Sequence, residues 1–252
     1  MPRIPRIIHQ TWKTNRVPKR FASFVHGWVH HHPGWRHILW TDRSSRQYVR
    51  GRYPALLPLY DAYDANIKRV DMFRYLVMLG IGGVYADLDV ECLAPMQPLL
   101  DTGRTCILGL EPELHAQRLY GRARLVSNAV LASAAGHPFW THVIGVMESC
   151  CREKDVLSAT GPMMLTSAVD SFPAADVRLL PSAVWSPLVD LANSALNLTP
   201  TEREHFTGMR RRQAYPAESL AVHHWAGTWY SGGWPGALNR LWVKAVSRFR
   251  RR

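Results

Sequence analysis

The sequence predicts an α/β fold, a single domain with a mainly parallel central sheet flanked by helices. Short runs rich in Ile, Val, Leu and Trp alternate with longer segments of helical periodicity, the order expected of a parallel sheet covered by helices. The 252 residues suit one large domain or two small ones, and a composition of 47% hydrophobic and 20% charged residues can bury a sizeable core. No repeat, low-complexity tract or long linker divides the chain.

The elements follow in order. PRIIHQTW, with Ile7 and Ile8 followed by polar residues, opens the fold with a strand, and PKRFASFVHGWVHHHP forms a helix ending near Pro33. RHILWTD (36–42) is a second strand. Residues 44–64, rich in tyrosine and proline, form short helices and turns. In NIKRVDMFRYLVMLGIGG, Val70, Phe73, Leu76 and Val77 share one helical face while Lys68, Asp71 and Tyr75 share another. Gly80, Gly82 and Gly83 end that helix and turn the chain into the strand VYADLDVE (84–91). TCILGLE (105–111) and DVRLLP (176–181) are further strands, with a helix around HPFWTHVIGVMESCC between them.

Asp87 and Asp89 raise a physical problem. On a strand they share a face with Tyr85, while Val84, Ala86, Leu88 and Val90 take the opposite one. Two like charges roughly 7 Å apart repel at a partly buried site. Solvated aspartates on an edge strand are the bland explanation. A calcium loop of the helix–loop–helix kind is disfavoured by the apolar residues between the acids and the missing turn glycine. A dinucleotide fold is disfavoured because GIGGVY lacks the third glycine and precedes a strand. A divalent cation bridging the carboxylates to a diphosphate resolves the repulsion, and Mg²⁺ or Mn²⁺ suits such ligands. The pair closes its strand, where ligands of open α/β sheets sit.

Composition limits the remaining classes. No stretch approaches the roughly 20 apolar residues of a membrane-spanning helix, and MPRIPRIIHQTW holds no apolar core of signal-peptide length. Cys92, Cys106, Cys150 and Cys151 lack staple or zinc spacing, which points to thiols in a reducing cytoplasm. The net charge of +12 is partly local, in Arg210, Arg211 and Arg212 and the terminal SRFRRR. A solvated surface, anionic lipid, a phosphorylated substrate and nucleic acid all accommodate such charge. Nucleic acid is disfavoured because the aromatics do not interleave with the arginines.

The run IKRVDMFRYLVMLGIGGVYADLDVECL resembles the sugar-binding region of the D-x-D glycosyltransferases of family 32, which include yeast mannosyltransferases and bacterial capsule and lipopolysaccharide enzymes and whose core pattern the clostridial glucosylating toxins share. IPRIIHQTWKT, HPGWRHILWTD, SNAVLASAAGHPFW, ATGPMML and HHWAGTW extend the resemblance in the expected order from residue 4 to residue 229. It implies a GT-A fold, assigned to residues 1–236, while the basic stretch 237–252 beyond the resemblance is read from its own residues as a C-terminal helix or tail. It also implies retaining transfer of a hexose from UDP-hexose or GDP-mannose to a glycan or lipid-linked acceptor, with Mn²⁺ or Mg²⁺ as cofactor. A catalytically inactive binding protein of the same fold is the alternative, with a basic nucleic-acid-binding protein behind it.

Carried over residue by residue, the resemblance makes Asp87 the contact to the ribose and sugar side and Asp89 the direct metal ligand. Asp71 and Arg74, neighbours on one helix surface by their spacing, hold donor sugar hydroxyls and the sugar or phosphate; a local salt bridge is the plainer explanation. Asp87, Asp89 and Arg74 form the catalytic set, with Lys68 nearby, and Tyr85 shapes the donor pocket. His9, Gln10 and Trp12 flank the base, with Trp12 as stacking surface or core residue. One of His223 and His224 joins the metal, with His224 preferred. Thr228 and Trp229 contact the donor, Trp229 as a lid hinged at Gly232 and Gly233. Asn128, Thr160, Gly161 and Pro162 form the acceptor side and floor. His30, His31 and His32 belong to the surface. In LNRLWVKAVSRFRRR, Leu238, Leu241, Trp242, Ala245 and Phe249 recur at near-helical spacing. Such a helix either docks on the core or lies peripherally on an anionic membrane face.

Overall fold

The computed structural model describes residues 3–173 and 176–228. Trp229, the hinge glycines Gly232 and Gly233, and the segment 237–252 lie outside them.

In chain order the elements are β1 (Ile7–Trp12), α1 (Ala22–His31), β2 (Arg36–Thr41), α2 (Asp42–Arg52), α3 (Leu57–Ala62), α4 (Asn66–Gly80), β3 (Gly83–Ala86), β4 (Val90–Cys92) and α5 (Gln97–Leu100). Then come β5 (Cys106–Leu110), α6 (Glu113–Tyr120), β6 (Val126–Ser133), α7 (Pro138–Ser149), α8 (Val156–Ala159), α9 (Pro162–Asp170), β7 (Arg178–Leu180), α10 (Ser182–Trp185), α11 (Pro200–Arg212) and β8 (Ala221–His223).

The central sheet has the order β2-β1-β3-β6-β5-β7. The β2/β1, β1/β3 and β5/β7 pairs are parallel and β6 is antiparallel to both neighbours, so five strands share one direction. That reversal has a consequence for the site. The carboxyl ends of β1, β3 and β5 and the amino end of β6 meet along one edge. β4 and β8 form a separate two-stranded antiparallel ribbon.

Strand alternation divides the core into two layers. Tyr85, Cys106 and Leu108 join Phe73, Trp140 and Leu165 on the side of α4, α7 and α9. Val84, Ala86 and Ile107 join Trp28, Met96 and Trp185 on the other. Two glycines make the turn between α4 and β3 possible. Gly82 and Gly83 have φ of +70° and +107°, and a Cβ on either would stand 2.5 Å from backbone atoms of Ala135 or Ile7.

Four expectations need correction. The D-x-D strand ends at Ala86, and Asp87 to Asp89 form a turn closed by the Val90 N–H donating to the Asp87 carbonyl at 3.1 Å. α4 is enclosed on every face, with Lys68 and Asp71 through Met78 all buried, because helices and sheet surround it. Residues 44–64 contain a full helix, α2, started by a capping box in which the Thr41 hydroxyl accepts the Ser44 N–H and the Ser44 hydroxyl accepts the Thr41 N–H. His32 is buried, unlike the exposed His30. Its Nδ1–H donates to the Trp28 carbonyl and its Nε2 accepts the Met96 N–H, a neutral tautomer fixed by two backbone groups. Burial lowers its pKa accordingly.

Candidate active site

The edge where β1, β3, β5 and β6 meet opens into a cavity of about 400 Å³. Thr11 and Trp12 line it from β1, Asp87 and Asp89 from the turn after β3, Glu111 from the end of β5, and Ser127 and Asn128 from the start of β6. Asp71 and Arg74 reach it from α4, and His223, Trp225 and Thr228 from the segment through β8.

Arg74 is the hinge of the charged wall. Its guanidinium lies 3.0 Å from Asp71 Oδ1 and 3.2 Å from Asp87 Oδ2, donates to the Asn128 carbonyl at 2.6 Å, and sits over the Tyr85 ring. Asp71 in turn accepts from Asn128 Nδ2 at 3.0 Å and Thr160 Oγ1 at 2.9 Å. Burial pushes the Asp71 carboxyl up to about 7 against the pull of Arg74 and these donors. Asp87 is raised by burial, with Arg74 opposing, and the nearby Asp89 adds to the rise. The Tyr85 hydroxyl donates to Asp87 Oδ1 at 2.7 Å and pairs with Thr11 Oγ1 at 2.9 Å, fixing the carboxylate's direction.

Asp89 belongs to a second cluster. Asp87, Asp89 and His223 offer one ligand atom each, all within 4.8 Å of one another. Burial opposes ionisation of Asp89, but His223 and the Ala226 N–H outweigh it and draw the carboxyl down to about 2. Burial likewise opposes a charged His223, yet Asp89 above all carries its pKa up. The three residues fit a hard divalent cation. Two carboxylates and an imidazole are an acceptable oxygen- and nitrogen-rich set, and buried His223 Nδ1 lacks a partner among the described residues.

Of the two histidines, the structure sets His223 and not His224 beside the aspartates. The β4–β8 register pairs Val90 with His223 and turns His223 toward the aspartates. His224 instead bonds Glu91 at 2.8 Å and stacks on Phe24. His9 and Gln10 also miss the cavity. Both are fully buried. His9 Nε2–H donates to the Gly82 carbonyl and its Nδ1 accepts from Trp40, while burial lowers its pKa to about 4. Gln10 Oε1 accepts from His37. Trp12 does reach the cavity and packs edge-on against Phe21. Lys68 lines the cavity too, but its ammonium is held by Asp64 and the Glu153 carbonyl and not by the aspartate pair. Asn128 and Pro162 line it, whereas Gly161 caps α9 behind it. Glu111, His115, Asp190 and Trp225 also line the cavity, although no sequence motif marks them. Glu111 carries a positional signal, since it directly follows a strand that ends at the same edge as Asp87.

With this geometry, residues 18–105 match the family described as the glycosyltransferase sugar-binding region containing the DXD motif. Residues 18–105 belong to the D-x-D glycosyltransferase family. Among curated relatives of the glycosyltransferase region, inositol phosphoceramide mannosyltransferase 3 of Schizosaccharomyces pombe is 35% identical over 172 residues, covering 65% of this chain and 44% of that one. Inositol phosphoceramide mannosyltransferase 1 of the same yeast is 31% identical, covering 73% and 58%. A mannosyl phosphorylinositol ceramide synthase of Saccharomyces cerevisiae is 32% identical, covering 65% and 42%. The chain thus spans about half the length of these relatives. Among solved structures, the PaToxG glycosyltransferase matches with a TM-score of 0.50 at 18% identity over 87% of this chain and 82% of that one. Mouse xyloside xylosyltransferase 1 matches with a TM-score of 0.50 at 9% identity over 89% and 98%. Both share the GT-A glycosyltransferase fold. No helix among the described residues is long and apolar enough to cross a membrane, and the four cysteines are free thiols.

Proposed function

We propose that this chain is a retaining, metal-dependent hexosyltransferase that moves a sugar from a nucleotide-sugar to a glycan or lipid-linked acceptor. The observation that carries the reading is the convergence of Asp87, Asp89 and His223 beside the Arg74–Asp71 pair in one cavity at the sheet edge. The names of the yeast relatives favour mannose as the sugar and an inositol-bearing lipid as the acceptor.

Breaking the bond to the anomeric carbon builds negative charge on the leaving diphosphate. Mn²⁺ or Mg²⁺ held by Asp87, Asp89 and His223 would supply Lewis-acid neutralisation of that charge. Arg74 supplies a fixed positive charge on the same wall, kept protonated by Asp87 and Asp71 and needing little reorganisation as charge develops. Asp71 orients Arg74, Asn128 and Thr160 on the side where a donor hexose would lie. Tyr85 holds Asp87 in place. Retention by front-face attack, residues 1–236 as one donor-binding domain, and a peripheral membrane role for residues 237–252 belong to the same proposal.

The test is a donor panel. Purified protein with Mn²⁺ receives UDP-glucose, UDP-galactose, UDP-N-acetylglucosamine or GDP-mannose, and nucleoside diphosphate release is followed with and without chelator. Release from one donor, abolished by chelator and by Asp87→Ala or Asp89→Ala, is the expected result. Near-normal turnover by either variant at saturating donor would sink the metal-site assignment. Silence across the panel without Mn²⁺-dependent nucleotide binding would favour an inactive relative of the fold.

A further inference from the structure

A second constructed feature lines the same cavity away from the aspartates. Glu111 follows the last residue of β5 and is 8% exposed. Its Oε2 lies 3.0 Å from His115 Nδ1. The other ring nitrogen of His115 accepts the Asp190 N–H at 3.0 Å, so it carries no proton. The hydrogen-bond pattern therefore fixes His115 as the Nδ1–H tautomer, donating to Glu111. That single bond aims the carboxylate, and Oε1 takes no hydrogen bond among the described residues although Glu111 borders the cavity.

Trp225 ties this pair to the metal-type cluster. Its ring lies edge-on to His115 with centroids 4.5 Å apart and against His223 at 4.0 Å, while its indole N–H donates to the Leu188 carbonyl at 2.7 Å. The backbone at Trp225 has φ of +53°, a conformation a bulky residue adopts only when its surroundings enforce it. Glu111 and the sugar-transfer cluster are therefore one aromatic ring apart.

A carboxylate accepts hydrogen bonds and donates none. Beside a diphosphate it repels, so its partner is a hydroxyl-rich group. We propose that Glu111, aimed by His115, forms an acceptor subsite that takes a hydrogen bond from a hydroxyl of a sugar or cyclitol headgroup. The inference rests on the glycosyltransferase reading above and assigns one wall of its cavity to the acceptor.

The experiment is a ligand-observed NMR titration of methyl α-D-mannopyranoside and myo-inositol onto protein saturated with Mn²⁺ and UDP or GDP. Wild-type protein is expected to bind one of the two probes. Glu111→Gln, which keeps shape but loses the charge-assisted bond, weakens that probe about tenfold or more while nucleotide affinity is retained, which also reports that the variant is folded. His115→Phe weakens the probe in the same selective way. Equal probe affinity in wild type and Glu111→Gln would overturn the inference, as would a nucleotide-saturated wild type that binds neither probe. Failure of both nucleotides to bind with Mn²⁺ overturns the glycosyltransferase reading itself, and the subsite with it.

Discussion

Replacing Arg74 by Met isolates the electrostatics of the buried wall. Arg74 and Asp71 are each about 2% exposed, and the guanidinium makes ion pairs of 3.0 and 3.2 Å together with a 2.6 Å bond to the Asn128 carbonyl. Methionine keeps most of the volume and removes the charge, leaving two carboxylates facing each other without a cation. Breaking a buried pair from one side costs about 3–5 kcal/mol, and urea denaturation should show that loss as a lowered midpoint at an unchanged slope. Removing the stranded charge as well, in Arg74→Met/Asp71→Asn, should recover part of it, since the two residues share one network. The loss should also depend on pH. Burial already holds the Asp71 carboxyl at about 7, and without Arg74 it rises further. The folded state then keeps a proton that the unfolded state releases, so stability falls as pH rises through that range and the penalty is larger at high pH than at low. A loss of less than about 1 kcal/mol, or a penalty that shrinks as pH rises, would refute this account of the wall.

Other outcomes follow from the same geometry. His223→Ala should abolish Mn²⁺-dependent nucleotide binding while His224→Ala retains it, as titration calorimetry would show; the reverse would return the ligand role to His224. Tyr85→Phe removes the hydroxyl that orients Asp87 and should weaken the metal about 10–100-fold in the same assay. His9, lowered from 6.5 to about 4 by burial, stabilises the fold above pH 6.5 and loses that contribution as pH falls through about 4. The effect is about 3 kcal/mol, so unfolding free energy measured against pH should fall less steeply in His9→Gln. Gly82→Ala should destabilise by more than about 1 kcal/mol, because φ of +70° and a 2.5 Å approach to the Ala135 nitrogen both oppose a side chain.

Much of the scaffold was legible because its signals are local. The apolar runs at Ile7–Trp12, Arg36–Thr41 and Cys106–Leu110 mark strands by composition, and the glycines at 82 and 83 mark the turn by their backbone freedom. Periodicity misled at α4, where a face bearing Lys68, Asp71 and Tyr75 is as buried as the apolar one, since ion pairs and hydrogen bonds satisfy it internally. Asp71, Arg74, Asp87 and Asp89 stand close together in the sequence and were readable as a unit. The choice between His223 and His224 was not, because it depends on the register of β8 against a strand more than 120 residues earlier. The same distance hid Trp225 and Asp190, whose neighbours are set only by tertiary packing.

The small β4–β8 ribbon also sets the order in which the molecule is completed. Every element of the central sheet is made by Leu180, yet His223 meets the aspartates only after the 43 residues from Pro181 to His223 have been synthesised and β8 has found β4. Pairing of such sequence separation closes late, because chain entropy must be spent before the contact returns anything. A nascent chain on the ribosome can therefore hold a folded sheet while its charged centre is still unfinished, and the step that completes the centre is the docking of a three-residue strand.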